Sequence, residues 1–176
     1  MARNNWNTWR VAIRAQIRDN FVRDAKGETD GTSLDFVQRD ALHYHVYDMS
    51  AWIMIADFTP CLLDANGKRD IEAGLSFLKP YYLGEKQHQE FVNTRVQEDR
   101  DRGRAGDVTF QAHRWRPEEG DDSGINRRLM RWARPIFPSI QPWTQQYEDT
   151  DYDPSVKFLA MLWGEPNRDL SLMGKR

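Results

Sequence analysis

The chain has 176 residues, with 25 Lys and Arg against 27 Asp and Glu, a formal net charge of −2, and 39% hydrophobic residues. That length is enough for one domain with a real core, and the 30% charged share reads as soluble and globular rather than disordered. The charge balance argues against a dedicated nucleic-acid binder. The one cysteine, Cys61, excludes an intrachain disulfide, and no apolar run approaches the ~20 residues that span a bilayer.

Met1 is followed at once by Ala-Arg-Asn-Asn-Trp, with no apolar signal region. As written, the chain is not expected to use the general secretory route. Aromatic residues make up 12% of it, which fits either a well-filled core or sugar-stacking platforms.

Residues 5–22 read as a helix. Arg10, Arg14 and Arg18 form a four-residue ladder on one side, while Trp9, Ala12, Ile13, Gln16 and Asn20 lie roughly opposite, with Asn5 in the same arc. The ladder is expected to be a solvated face; its alternative, a nucleic-acid contact, is disfavoured by the net charge. Asn4 and Asn5 fit an N-cap or, alternatively, an amide aimed at a ligand carboxylate. Residues 24–33 hold two glycines among small polar residues and read as a loop. A loop of that length makes the helices on either side antiparallel neighbours.

The next helix is expected over residues 35–55, capped by Ser33 or Asp35, because no Gly or Pro occurs between Ser33 and Thr59. At about 100° per residue, Leu42, Val46, Met49, Ile53 and Ala56 form one apolar stripe. Arg39, His43, Tyr47 and Ser50 form a second, spaced by four, four and three. A fixed cation, an imidazole and a phenol on one face are an unusual load for a core helix. The plainer reading is that such aromatic and His side chains are core residues with one satisfied hydrogen bond. Burying Arg39 as well would then require a partner, and Asp40 or Asp35 could serve.

Further along, residues 64–67 read as a turn and residues 68–78 as a helix stopping at Pro80. Residues 87–102 read as a charged helix, residues 108–112 as a short strand, and residues 125–136 as a short helix ended by Pro135 and Pro138. An acidic turn at 147–154, a last helix at 156–163 and a frayed tail from Asn167 complete the chain. The fold class is mostly α.

Several chemistries can be weighed on these positions. His43 and His45 are two apart, about 200° around a helix, so they cannot share a metal ion, and no Cys pair supports one. Glycoside hydrolysis needs two carboxyl groups about 5–9.5 Å apart, whereas Asp40 and Asp48 lie roughly 12 Å apart along a helix axis. β-Elimination at a uronic acid needs another set. The sugar carboxylate must be neutralised by an amide, Arg or protonated acid. A His or Tyr then takes the adjacent proton, and a Tyr can protonate the leaving oxygen. Arg39, His43 and Tyr47 supply that set, with Arg39 favouring phenolate formation at Tyr47 if it comes close.

Asn4-Asn5-Trp6 followed by Trp9, together with Arg39-Asp40-Ala41-Leu42-His43-Tyr44-His45-Val46-Tyr47, resembles the alginate lyase family of polysaccharide lyases. That family carries an Asn-Asn-His segment opening one helix and an Arg-rich Tyr-His-x-Tyr segment in a later one. The likeness continues through Gly74-Leu75-Ser76-Phe77-Leu78-Lys79-Pro80-Tyr81 and covers residues 4–82. It implies antiparallel helix hairpins forming an (α/α) toroid, whose central cleft binds an acidic polysaccharide and cleaves it by β-elimination without metal or cofactor. Asn5 matches the family's carboxylate-neutralising amide and Tyr47 its catalytic tyrosine. Trp6 stands where the family has histidine, and Asp40 where it has arginine, with Arg39 adjacent. His43 is the candidate to replace the missing imidazole. The catalytic set is therefore Asn5, Arg39, His43 and Tyr47, with Asn4, Trp6, Trp9, Tyr44 and His45 as substrate contacts. The expected substrate is an alginate-like uronic-acid polymer, and these departures leave room for glucuronan or another uronate polymer in place of mannuronate.

Toroids of this type run to roughly 300 residues or more. The resemblance therefore implies a single partial domain, the C-terminal half of a lyase: motif-bearing helices over residues 1–82, then a charged helix, loops and short helices over 83–176. Such a half exposes apolar faces open to self-association, and a full-length form would be secreted or periplasmic. No membrane or nucleic-acid partner is expected. The alternative is a non-catalytic helical remnant that binds acidic polysaccharide or a partner protein through the same groove.

Overall fold

The computed structural model describes residues 2–116 and 125–145, with side chains described over 5–116 and 129–145. The turn expected at 147–154, the helix expected at 156–163 and the tail from Asn167 lie outside the described residues.

Among the described residues the chain is mostly helical. Helix α1 (Ala2–Asn20) leads through a loop to α2 (Leu34–Arg39), α3 (Leu42–Phe58) and α4 (Ala65–Tyr82). Strand β1 (Gln89–Glu90) and α5 (Gln97–Arg104) follow, then β2 (His113–Arg114), α6 (Ile125–Ala133) and α7 (Gln141–Thr144). Single 3₁₀ turns occupy Pro60–Leu62, Val108–Phe110 and Pro138–Ile140.

Helix α3 is the central rod. Its expected apolar stripe of Leu42, Val46, Met49, Ile53 and Ala56 is buried. It packs against α2, α4 and α6, meeting Ile71, Leu75 and Leu78 of α4 and Leu129, Met130 and Ala133 of α6 in one core. Burial of each Leu, Ile, Val or Met among them contributes about 1.5–3 kcal/mol, which is where the stability of this helix resides. Asp64 caps α4 by accepting from the Gly67 amide at 2.8 Å. Helix α4 passes the expected stop at Pro80 and ends at Tyr82. A proline this late forfeits one amide bond, and the residue four before it, Ser76, is exposed.

Three helices converge on Gly74. A Cβ there would lie 2.5 Å from Met49 Sδ of α3 and 2.9 Å from Phe21 Cε1 just past α1. Arg14 of α1 pairs with Asp64 at 3.2 Å, so α1 runs in the same sense as α4. Arg10 Nε donates to Cys61 O at 2.7 Å beyond the far end of α3, so α1 is antiparallel to α3 as expected, although its main packing partners are α4 and the turn at 60–62 rather than α3. Gly74→Ala is expected to overpack this junction and cost about 1–3 kcal/mol, measurable as a lower midpoint in denaturant unfolding.

The inward line of α1 is rotated from the expected one. Ile17 and Phe21 are buried and Ile13 is half-buried, whereas Trp9 and Ala12 are exposed. Arg14 and Arg18 are exposed, as a solvated ladder requires, while Arg10 and Arg14 also reach the turn at 60–64.

The expected single helix over 35–55 is broken. Ser33 caps α2, accepting from the Phe36 amide at 3.2 Å. Asp40 then adopts a left-handed conformation (φ 53°, ψ 44°) and Ala41 is extended before α3 starts. Asp is among the few non-glycine residues that visit this region readily. The break is held from outside: Asp40 O accepts from Phe91 N at 2.8 Å, and Asp40 Oδ2 accepts from Asn93 N at 2.6 Å. Gln38 O accepts from Arg95 N at 2.7 Å.

The expected helix over 87–102 is therefore half wrong. Its first part lies along the break and pairs Glu90 with His113 across an antiparallel ribbon, and only Gln97–Arg104 is helical. The strand expected at 108–112 is a 3₁₀ turn followed by β2. The short helix expected at 125–136 closes earlier, at Ala133.

Candidate functional site

The break at Asp40 makes the start of α3 a helix N-terminus with no cap of its own, because Ala41 offers no side-chain acceptor. Unpaired amides at such an end attract an anion. Glu90 of β1 fills that role: its Oε1 accepts from the His43 backbone N–H at 2.8 Å. Its Oε2 lies 2.7 Å from His43 Nδ1 and 3.3 Å from His113 Nε2. The Glu90 side chain is 1% exposed, so one enclosed carboxylate holds an imidazole by both its main chain and its ring.

Aromatic rings surround that imidazole. The His43 ring centroid is 4.2 Å from Tyr44, 5.3 Å from Phe91 and 6.0 Å from Tyr47, the last nearly perpendicular at 87°. Phe91 has φ 61°, a conformation that costs an aromatic residue about 1–2 kcal/mol. It brings two consecutive side chains, Glu90 and Phe91, into burial, where ordinary strand alternation would separate them. Phe110 and His113 close around Phe91 at 5.2 and 6.1 Å.

Arg39 enters from the end of α2. Its Nη1 is 2.6 Å from Oδ1 of the buried Asp99 in α5, and its guanidinium stacks 4.1 Å over the Tyr44 ring. The partner for Arg39 is thus Asp99 rather than Asp40 or Asp35, and the ring beneath the cation is Tyr44. The Tyr44 phenol is pushed above its usual range, chiefly by burial, with the Arg39 charge opposing. Tyr47, on the outer face of α3, is 45% exposed.

The expected residues thus divide. Arg39, His43, Tyr44 and Tyr47 come together at the start of α3. His45 does not join them, and its expected role as a substrate contact is corrected: it is fully buried, and its Nε2–H donates to Gly74 O at 2.9 Å. Burial is the main reason its ring titrates only at about 4, with the Gly74 bond opposing. This is a neutral core histidine, the plainer of the two readings its helix allowed.

Asn5 is corrected too. Phe21 meets Met49, two residues from Tyr47, over Gly74, while Asn5 lies fifteen residues before Asn20, the end of α1. At 1.5 Å per residue that is about 22 Å along the axis, too far for the Asn5 amide to serve a group held by Tyr47. Trp6 and Trp9, 52% and 61% exposed, share that distant half of α1. The Asn4 side chain lies outside the described residues.

Asp40 and Asp48 do not form a carboxylate pair. Asp40 is taken up by Asn93 N and by His88, 3.5 Å from its Oδ1. Asp48 is half-buried beside Ser33, Asn20 and Asp35. Its carboxyl is raised to about 6, mainly by burial and next by the Asp35 charge, with the Ser33 and Asn20 side chains opposing. Because this value lies above that of the unfolded chain, its stabilising contribution is complete below about pH 4 and is lost as pH rises through 6. Asp48→Asn is therefore expected to raise stability at pH 7.5 by about 1–2 kcal/mol, after discounting for partial exposure, and to change little at pH 4. Urea unfolding at the two pH values measures the difference.

Sequence reasoning missed Glu90, Phe91, Asp99 and His113. The β-favouring pair Phe91-Val92 followed by the turn-forming Asn93-Thr94 was the available sign of extended chain. Chemically, the cluster offers an imidazole fixed by a carboxylate, a phenol one turn on and a guanidinium, which together suit proton transfer next to an anion. Among the described residues no group of three His, Cys, Asp or Glu side chains is arranged to hold a metal ion. No described helix is long and apolar enough to cross a membrane. Set against known proteins, the chain matches no family model, no curated protein and no solved structure.

Proposed function

We propose that this chain cleaves a uronic-acid polymer by β-elimination, with His43 as proton acceptor and Tyr47 as proton donor. The observation that carries the reading is the juxtaposition of an imidazole and a phenol on successive turns of α3, 6.0 Å apart between ring centroids. Arg39 stands at the same helix start. The resemblance of residues 39–47 to the alginate lyase motif supports it, and the α3–α4 hairpin is proposed to be part of an (α/α) toroid.

The steps follow from the chemistry. A guanidinium carries five N–H donors, so a bond to Asp99 does not exhaust Arg39, which neutralises the sugar carboxylate and stabilises the enolate-like charge. His43 takes the proton from the carbon bearing that carboxylate. The electron pair of the broken C–H bond forms the new C=C bond, and the glycosidic C–O bond breaks. Tyr47 gives its proton to the departing oxygen. Exchange with solvent returns a proton from the imidazolium to the phenolate. Asn5 has no part in these steps.

The test is incubation with alginate, glucuronan and other uronate polymers while following ultraviolet absorbance of the unsaturated product. Native protein is expected to generate product and Tyr47→Phe to generate none. Absence of product from every uronate polymer would remove the reading. A second reading, binding without turnover, is favoured by the separation of Asn5 and Trp6 from Tyr47. It requires calorimetric binding of the polymer that Tyr47→Phe leaves intact and Arg39→Ala weakens.

A further inference from the structure

We infer that Glu90 is the positioning residue of this site: it fixes His43 in the Nδ1–H tautomer, so that Nε2 carries the lone pair that accepts a proton. The inference rests on the reading of His43 as proton acceptor, and it concerns a residue that no motif in the sequence marks.

An ionised carboxylate can only accept hydrogen bonds. Glu90 Oε1 is taken by the His43 main-chain N–H at 2.8 Å, and Oε2 lies 2.7 Å from Nδ1 of the same residue. A proton on Nδ1 makes the second contact a bond, and a bare Nδ1 would set two lone pairs against each other. Neutral imidazole has one proton to place, so Nε2 is left as the base. Backbone and ring of one residue held by one carboxylate leave little freedom in either the ring's orientation or its protonation.

The other imidazole near Glu90 does not compete for this bond. His113 Nδ1 faces the carbonyl of Gln111 at 2.8 Å, and a carbonyl can only accept. Its Nε2 thus has a proton to offer Glu90, 3.3 Å away, only when the ring carries both protons.

The plain alternative is that Glu90 is a helix cap and nothing more. The two roles separate in Glu90→Gln. The glutamine carbonyl still accepts from the His43 amide, so the cap survives. Its NH₂ group then faces Nδ1 and donates, which drives the His43 proton to Nε2. The chain's other histidines are internal standards. His45 Nε2 and His88 Nε2 face carbonyls of Gly74 and Asp40, each at 2.9 Å, and so read as Nε2–H, whereas His113 reads as Nδ1–H.

The experiment is long-range ¹H–¹⁵N correlation of the imidazoles in the full chain at a pH where they are neutral. Native His43 is expected as Nδ1–H, and as Nε2–H in Glu90→Gln, with His45 and His88 unchanged in both. If uronate cleavage is found, Glu90→Gln lowers kcat by about 10²–10⁴-fold, as a wrong tautomer does elsewhere, with KM within twofold. A native His43 in the Nε2–H form, or the same tautomer in both proteins, overturns the inference. The native spectrum alone decides this if the variant does not fold. Failure of the lyase reading appears separately, as absence of product with the tautomers as expected.

Discussion

His43→Gln is expected to lower turnover of a uronate polymer by about 10²–10⁴-fold, the range lost when a general base is removed, with little change in KM. Glutamine retains a carbonyl and an amide of similar reach but cannot hold and release a proton near neutral pH. The flanking rings of Tyr44 and Phe91 still enclose the side chain, so binding persists while proton transfer fails. Stopped-assay kinetics on the native and variant proteins separate kcat from KM. His45→Gln offers the contrast. Its ring lies in the core against Phe77 and Gly74, so substitution there is expected to lower stability first, with activity falling only as folded protein is lost.

Glu90→Ala carries the largest expected effect on stability, about 3–4 kcal/mol. The carboxylate is enclosed and serves the His43 amide and the His43 ring, with the His113 ring beside it. Truncation leaves an uncapped amide at the start of α3, worth about 1–3 kcal/mol when buried, and a void among Phe91, His43 and His113. For a chain of this size each kcal/mol lowers Tm by about 2–4 °C, so calorimetry is expected to show a fall near 10 °C. Glu90→Gln retains the cap and most of that stability. The pair of variants thus separates what Glu90 does for the fold from what it does for the imidazole.

The parts of this molecule that were legible in the sequence are those set by helical periodicity. The stripe from Leu42 to Ala56, the Ser33 cap and the antiparallel relation of α1 to α3 follow from spacing and loop length, and all are present. The break at Asp40 was not legible, because neither Gly nor Pro marks it. It exists because residues 88–95 bond to Asp40 and Gln38 from far along the chain. The same long-range pairing hid Glu90, which resembles one more charge on a solvated helix until the ribbon to His113 is known.

For the site, grouping by helical stripe placed Arg39, His43 and Tyr47 in one neighbourhood even though their helix is interrupted. Assigning Asn5 by motif had no such constraint. The distance from Asn5 to Tyr47 depends on which ends of α1 and α3 meet, and Phe21, Met49 and Gly74 fix that through packing. His45 was legible by spacing but assigned by motif: it stands four residues before Met49 and eight before Ile53, on the buried stripe, whereas His43 shares the stripe of Arg39 and Tyr47.

The most direct measurement compares initial rates of unsaturated-uronate formation by Asn5→Ala and Tyr47→Phe against the native chain. With proton transfer centred at the start of α3 and Asn5 at the opposite end of α1, Asn5→Ala is expected within twofold of native and Tyr47→Phe without product. An Asn5→Ala rate as low as that of Tyr47→Phe would contradict this account.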